Sequence, residues 1–394
     1  MSIDFIILNL IFICNLTVFI SLKQYRSSCF IWFVCYFTLF VSPSYYIIFG
    51  GDAYNLYTNY GVEKYNQISA IYGAVFFVFL VFKNKSYKSI DYSLLESRVL
   101  SNYTWVYVYT VFFLVSSYVI FYFKEMPFYS ILLGQSFVRP DTVHNGIKFY
   151  FTFSVFMDVI CPSLYFLIRN EIKNKLVDMF LLLLVSFFLI VGGSKGTLIY
   201  FFIFYWFSVL DLKVSKKFFI LLIVSFVIYF FIKNISFTNI NDFFEAMVSP
   251  LRRFFVTQGI AIPIRFDMDN FGLFNDVSYQ DIKFVVFKYV YGYEPGSMPI
   301  MFFPDLIIKF GYFASCLILS LFFFVLFYIS KVVDTSKSYF YHWMFYILSF
   351  SVLMSGFSEA NLYRIIAGVL NIYIVFLLSK SRFKNVSVNN YTIL

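Results

Sequence analysis

Residues 310–329 read FGYFASCLILSLFFFVLFYI, a run in which no side chain carries a charge. At a rise of about 1.5 Å per residue, a helix of roughly twenty residues matches the ~30 Å hydrocarbon core of a bilayer. The run therefore predicts a membrane-spanning helix, and similar apolar blocks recur on both sides of it along the chain.

Reading outward from this block predicts about eleven membrane-spanning helices. Their expected bounds are 3–22, 30–49, 68–82, 103–123, 149–168, 176–192, 197–210, 218–233, 310–329, 340–357 and 362–379. The predicted fold class is an all-α polytopic membrane protein, in which residues 1–394 form a single transmembrane helical bundle.

The composition agrees with this fold class. Hydrophobic residues make up 61% of the chain and charged residues only 13%, whereas soluble domains carry about 25% charge. The net charge is +9, but much of the excess falls in short loops between predicted spans rather than on one basic face. We therefore do not expect nucleic acid as a partner.

The basic residues predict the orientation. Short loops on one predicted side of the membrane, together with the C-terminal tail, hold 17 of the 30 lysines and arginines, as at Lys83, Lys216 and Lys337. Short loops rich in Lys and Arg remain in the cytoplasm. The sequence thus predicts a protein of the bacterial inner membrane, with a periplasmic N-terminus and a cytoplasmic C-terminus.

Residues 234–309 form one long loop, which this orientation places in the periplasm. Within it, apolar residues repeat at three- and four-residue spacing from Phe243 to Phe255, with Pro250 in between. That spacing predicts an amphipathic helix on the membrane surface, bent or restarted at the proline. A loop of this length is too long to lack structure, so further short helices are expected in it.

Motifs of soluble enzymes are missing from the sequence, which has no P-loop, no HExxH and no glycine-rich dinucleotide turn. Asp267 and Asp269 form a D-x-D pair of the kind that can hold a metal. A solvated acidic turn is the more frequent interpretation of so short a pattern. We therefore predict neither a metal nor a cofactor.

Several basic residues lie in predicted outer segments, against the usual charge rule. A diphosphate at the outer leaflet would explain them as a set, because cationic side chains bind phosphate oxygens strongly. The structural alternative is snorkelling towards lipid phosphates. The predicted diphosphate-binding residues are Lys195, Arg139, Arg252, Arg253, Arg265 and Arg364.

Lys195 has an additional argument, because it lies in the short turn Gly-Gly-Ser-Lys-Gly at 192–196. Backbone amides in such a turn, and the positive end of the helix that follows, favour an anion. A plain hairpin turn is the structural alternative. The predicted outer side also offers three proton acceptors, which are His144, Glu294 and Asp305.

The turn GGSKGTLI at 192–199 resembles the G-S-[RK]-G turn of O-antigen and oligosaccharide repeat-unit polymerases, the Wzy family. The stretch Pro295-Gly296-Ser297-Met298-Pro299, with Asp305 and Phe310-Gly311 before a span, is similar to that family's P-G-S-x-T-P stretch. In the family, an acidic residue and an F-G pair follow. This sequence lacks the Thr, has one extra residue before the acid, and has Asp for the usual Glu.

The resemblance implies a glycosyltransferase of lipopolysaccharide O-antigen biosynthesis. It would transfer a growing glycan from undecaprenyl diphosphate to a new lipid-linked repeat unit at the periplasmic face. Its expected partners are undecaprenyl-diphosphate-linked glycans and membrane lipids, with a chain-length regulator as a further candidate. The alternative function is a flippase or transporter of the lipid-linked unit. The long outer loop and the odd number of predicted spans favour the polymerase.

Overall fold

The computed structural model describes residues 2–22, 28, 30–50, 56–85, 100–133, 147–192, 195–205, 259–293, 298, 301–336 and 338–389. Within these ranges the chain is helical and contains no strand. The α-helices are α1 (Ile3–Ser21), α2 (Phe30–Tyr36), α3 (Ser42–Ile48), α4 (Asn59–Lys85), α5 (Asn102–Phe121), α6 (Pro127–Leu132), α7 (Tyr150–Val155), α8 (Cys161–Ile168), α9 (Lys175–Val191), α10 (Lys195–Phe204), α11 (Ala261–Asn270), α12 (Ile282–Tyr291), α13 (Phe302–Thr335), α14 (Tyr339–Ser355) and α15 (Glu359–Asn389).

Seven helical segments in the described ranges are long and apolar enough to cross a membrane. They are Ile3–Ser21, Phe30–Ile48, Asn59–Phe82, Asn102–Phe121, Tyr150–Glu171, Phe302–Asp334 and Glu359–Ser379. Each of them overlaps a predicted span, which confirms an all-α membrane protein. The total of eleven spans stays a prediction.

Three other predicted spans are covered wholly or partly by helices. Helices α9 and α14 contain 17 residues each and coincide with the predicted spans at 176–192 and 340–357. That length is at the lower limit for crossing a bilayer. Helix α10 covers the start of the span predicted at 197–210. The span predicted at 218–233, like the surface helix predicted from Phe243 to Phe255, lies outside the described residues.

Two helices begin well before the predicted span. Helix α4 begins at Asn59 rather than 68, because its first turns carry polar residues that an apolar block does not include. Helix α13 begins at Phe302 rather than 310, and Gly311 interrupts it with φ 73° and ψ 172°. That backbone conformation is essentially restricted to glycine. The uncharged run at 310–329 is thus the part of α13 from Phe310 onward.

The chain divides into two compact units. Unit 1 contains residues 1–91, 235–335 and 349–361, and unit 2 contains residues 92–234, 336–348 and 362–394. Helix α14 and helix α15 therefore each contribute residues to both units.

The two ends of unit 1 are distinguished by its hydrogen bonds. At one end the Gln67 amide donates to the Asp4 carboxylate across 3.2 Å, which joins the starts of α1 and α4. At the other end the Ser28 backbone N–H donates to Asp334 Oδ1 across 2.8 Å, which joins the chain before α2 to the end of α13. The starts of α1 and α4 therefore lie at one end, and the start of α2 and the end of α13 lie at the other, as expected of helices that alternate in direction. Which end faces the cytoplasm stays a prediction.

A π-helical segment, Phe37–Val41, interrupts the second span of unit 1 just before Pro43. Proline lacks the N–H that would bond to the preceding turn. The Tyr65 hydroxyl lies 2.7 Å from the Leu39 carbonyl oxygen and 2.9 Å from that of Phe40, so it satisfies this weakened turn. Gly259 approaches the same turn so closely that a Cβ there would lie 2.3 Å from the Leu39 oxygen.

Unit 2 is held together by an apolar core and a row of polar contacts along α15. Asn371 donates to Ser163 Oγ across 2.9 Å and accepts from the Tyr107 hydroxyl across 2.8 Å. The Leu378 carbonyl accepts from Ser101 at the start of α5. Interhelical hydrogen bonds of this kind contribute about 0.6–2 kcal/mol each in a membrane, and they fix which face of a helix is buried.

Candidate functional site

Two short helices, α11 and α12, occur in the segment predicted as the long loop, and they share a small core of their own. Its buried members are Ala261, Ile264, Met268, Phe274, Ile282, Val286 and Met298. Met298 is fixed by a 3.0 Å backbone hydrogen bond to the Lys283 carbonyl. Short helices in this segment were expected from its length. The location of the segment outside the membrane stays a prediction.

A buried ion pair joins α11 to α13 in unit 1. Arg265 Nε lies 2.9 Å from Asp305 Oδ1, and both side chains are fully buried. Arg265 also donates to the Ala261 carbonyl, and Asp305 Oδ2 accepts the Met301 backbone N–H across 2.7 Å. Arg265, which was predicted to bind the diphosphate, and Asp305, which was predicted as a base, are therefore in contact with each other. In this arrangement neither side chain is accessible to a substrate.

Tyr279 lies beside this pair, in the turn that precedes α12. Burial and the negative charge of Asp305 both raise the pKa of the Tyr279 hydroxyl, while Arg265 opposes the shift. The hydroxyl therefore stays protonated at neutral pH. Gln280, the next residue, donates to the Phe357 carbonyl across 2.7 Å and ties the same turn to the residues after α14.

Asp267 of the D-x-D pair caps the start of α4. Its carboxylate accepts the Thr58 backbone N–H at 2.6 Å, the Thr58 hydroxyl at 2.5 Å and the Gly61 backbone N–H at 3.0 Å. A negative charge at a helix N-terminus is stabilising. Gly61 permits this approach, because a Cβ there would lie 2.5 Å from Asp267 Oδ2. Within the described ranges, no group of three or more residues suited to metal ligation occurs.

A second set of polar and aromatic side chains lies nearer the surface of unit 1. The Lys64 ammonium lies 5.7 Å from the centre of the Tyr60 ring and 5.9 Å from that of Tyr312. Asp269 and Tyr312 interact electrostatically. Partial desolvation raises the pKa of the Asp269 carboxyl, and the ammonium of Lys309 opposes that shift. We call these five residues the Lys64 cluster.

Arg364 has a partner in unit 2. Its Nη2 lies 3.4 Å from Oδ2 of Asp158, which is buried in the π-helical segment Phe156–Ile160. The Arg364 side chain remains 24% exposed, so this residue, which was predicted to bind phosphate, is still accessible. Its predicted role is not tested by this contact.

The GGSKG turn is described only in part. Helix α9 ends at Val191, and α10 begins at Lys195, two residues before the predicted span, so Lys195 is the first residue of the helix that follows the turn. The Tyr150 hydroxyl donates to the Gly192 carbonyl across 3.0 Å and fixes the first residue of the turn. The Lys195 side chain lies outside the described residues. The same holds for five whole residues, namely Arg139, His144, Arg252, Arg253 and Glu294.

Two features were not predicted from the sequence. Asp158 lies inside a predicted span, and an ionisable residue at such a position indicates a paired or functional side chain. The sequence alone therefore contained a signal that could have identified Asp158. The Lys64 cluster was not identifiable in the same way, because its members come from α4, α11 and α13, far apart in the chain.

Comparison with known proteins found no matching family model, no matching curated protein and no matching solved structure.

Proposed function

We propose that the chain is an O-antigen polymerase of the inner membrane. As a membrane glycosyltransferase, it would join undecaprenyl-diphosphate-linked oligosaccharide repeat units at the periplasmic face. One observation carries the proposal. At the end of unit 1 where α1 and α4 begin, cationic, carboxylate and aromatic side chains from α4, α11 and α13 come together. The family-like stretch that contains Asp305 and Gly311 leads into this end.

The chemistry requires fixed positive charge. When the anomeric carbon–oxygen bond breaks, negative charge develops on the diphosphate leaving group. Cations held in place before the reaction stabilise that charge in the transition state at little reorganisation cost. Lys195, Arg139, Arg252, Arg253 and Arg364 are the proposed sources. Arg265 is proposed to act through structure instead, because Asp305 already engages its guanidinium.

The reaction also requires a proton acceptor for the attacking sugar hydroxyl. Asp305 would have to separate from Arg265 before it could accept a proton from substrate, because both side chains are fully buried. We therefore propose Asp305 as a positioning residue. His144 and Glu294 remain the proposed bases, one of which would take the proton as the hydroxyl attacks.

A deletion of the chain's coding sequence tests the proposal through the glycan that the cell displays. Loss of a polymerase leaves a single repeat unit on its lipid anchor at the cell surface. Loss of a flippase leaves none, because the unit never reaches the outer leaflet. Complementation with the intact chain should restore the ladder of lengths. A deletion strain with an unchanged ladder would contradict the proposal, and one with no surface unit would favour the flippase.

A further inference from the structure

Lys64 lies in the second turn of α4, inside a segment that is apolar enough to cross a membrane. Its ammonium lies over the rings of Tyr60 and Tyr312, and its only hydrogen bond in the described part of the chain is a long contact of 3.4 Å to Gln67 Oε1. None of the ion pairs among the described residues includes it.

This environment leaves donors of the Lys64 ammonium without a protein partner among the described residues. An ammonium has three donors, and tyrosine faces attract the charge without accepting a conventional hydrogen bond. An ionisable group in a membrane span is normally paired with an opposite charge or lines a ligand pathway. The contacts of Lys64 therefore leave donors for an external anion.

The surroundings are open and polar. Tyr60 is 41% exposed and Tyr312 is 39% exposed, so a ligand can reach the ammonium between them. Asp269 acts electrostatically on Tyr312, and the ammonium of Lys309 favours the charged form of the Asp269 carboxyl. Gly311, immediately before Tyr312, sets the direction in which the chain enters the rest of α13. The Lys64 cluster thus presents cations beside aromatic rings at the end of a span.

We propose that Lys64, held between Tyr60 and Tyr312, binds the phosphate of a lipid-linked ligand. This inference rests on the proposed function, since it assigns the phosphate to the polyprenyl diphosphate substrate. Phosphate is also the headgroup chemistry of membrane phospholipids, and the experiment below separates the two sources. The rings fix the ammonium, and an oxygen of the phosphate takes the free donors.

Unit 1 contains a matched control. The Lys331 ammonium lies 4.4 Å from the centre of the Phe327 ring and 5.8 Å from that of Tyr328. It therefore has the same kind of aromatic contact as Lys64. It lies near the end of α13, close in sequence to Asp334, which contacts Ser28 at the opposite end of unit 1.

The test measures binding of farnesyl diphosphate to the purified full-length chain in detergent, with the wild type, Lys64→Gln, Lys64→Arg and Lys331→Gln compared. We expect Lys64→Gln to weaken binding about ten- to a hundredfold, the range for a lost charge-assisted hydrogen bond. Lys64→Arg should retain most of the binding, and Lys331→Gln should match the wild type. Farnesol, which lacks the phosphates, should not bind in the same range.

Phosphatidylglycerol is the competitor that separates the two phosphate sources. If it displaces farnesyl diphosphate at equal concentration, Lys64 is a headgroup anchor and the assignment to substrate is overturned. Equal affinity of wild type and Lys64→Gln, or no measurable binding by the wild type, would also overturn it. Unfolding of the same samples, followed by tryptophan fluorescence, identifies a variant that has simply lost its fold. In that event binding by Lys64→Arg and by Tyr312→Phe is measured instead, because both variants keep the cation and the rings. Binding close to that of the wild type is expected, and loss of binding by these two folded variants would overturn the inference.

This outcome is independent of the polymerase test. A chain that binds farnesyl diphosphate through Lys64, in a strain whose deletion displays no surface repeat unit, keeps the inference and loses the proposed polymerase. A polymerase whose diphosphate binding is unaffected by Lys64→Gln keeps the proposed function and loses the inference.

Discussion

Replacing Arg265 with methionine tests the buried ion pair of unit 1. The change removes the guanidinium that lies 2.9 Å from Asp305 while keeping a long apolar side chain. Asp305 would retain the Met301 N–H on one oxygen but lose its counter-charge in a site with no exposure. Removing one member of a buried pair costs about 3–5 kcal/mol, which is a factor of more than about a hundred in the folded-to-unfolded ratio.

The double variant Arg265→Met/Asp305→Leu shows whether that loss comes from the uncompensated charge. With both charges gone, we expect most of the stability to return, because an apolar pair of similar volume can replace a buried ion pair. The loss of the contact to Met301 should leave a deficit of about 1 kcal/mol. Asp269→Asn, an exposed carboxyl on the same helix, is the control and should change stability by less than about 1 kcal/mol.

Reversible unfolding in mixed detergent micelles, followed by tryptophan fluorescence, is measured for five chains: the wild type, Arg265→Met, Asp305→Leu, the double variant and Asp269→Asn. If the losses of unfolding free energy in Arg265→Met and Asp305→Leu add up to the loss in the double variant, the two residues are not coupled. The pair then does not hold α11 to α13. The glycan ladder of the double variant gives a second result. Stability without polymer would indicate that Asp305 or Arg265 acts on substrate as well.

Substitutions at four further positions test the remaining features. Asp267→Ala should cost about 1–2 kcal/mol in unfolding measurements by removing the cap of α4, and an unchanged stability would contradict the capping role. Gly311→Ala should cost on the order of 1–3 kcal/mol from backbone strain alone, since a Cβ there meets nothing within 4 Å. Arg364→Met should destabilise unit 2 more than Arg364→Lys, because only the lysine keeps a cation for Asp158; equal losses would show that the pair contributes little. Lys195→Ala should abolish polymer at normal protein level while Lys195→Arg keeps part of it, and a full-length ladder in the alanine variant would refute its role.

The existence of spans could be predicted from the sequence far better than their bounds. Each of the seven long apolar helices lies at a predicted position, because a run of apolar residues has one stable environment in a bilayer. The early start of α4 was missed because polar residues fill its first turns. They are stabilised there by a carboxylate from α11, and no local pattern reveals a cap that comes from another segment.

The candidate site was predictable residue by residue but not as an arrangement. Arg265 and Asp305 were both selected for their chemistry, yet their contact joins two helices that a periodicity argument treats separately. From the sequence, Arg265 was assigned to the diphosphate and Asp305 to proton transfer. Both assignments assumed that the charge was available to a substrate, whereas the two charges pair with each other. Lys64 was not selected, because its distinguishing feature is Tyr312, which reaches it from a different helix.

The charged groups at this end of unit 1 are of two physical kinds, and they should respond differently to substitution. Arg265, Asp305 and Asp267 are buried and each contacts protein partners, so their interaction energy is already used in holding α4, α11 and α13. Lys64 is engaged mainly by ring faces, so its interaction energy remains for a ligand. Substitutions in the first group should therefore lower stability first and ligand affinity only as a consequence. Lys64→Gln should lower affinity with little change in unfolding, and a reversal of this order would refute the distinction.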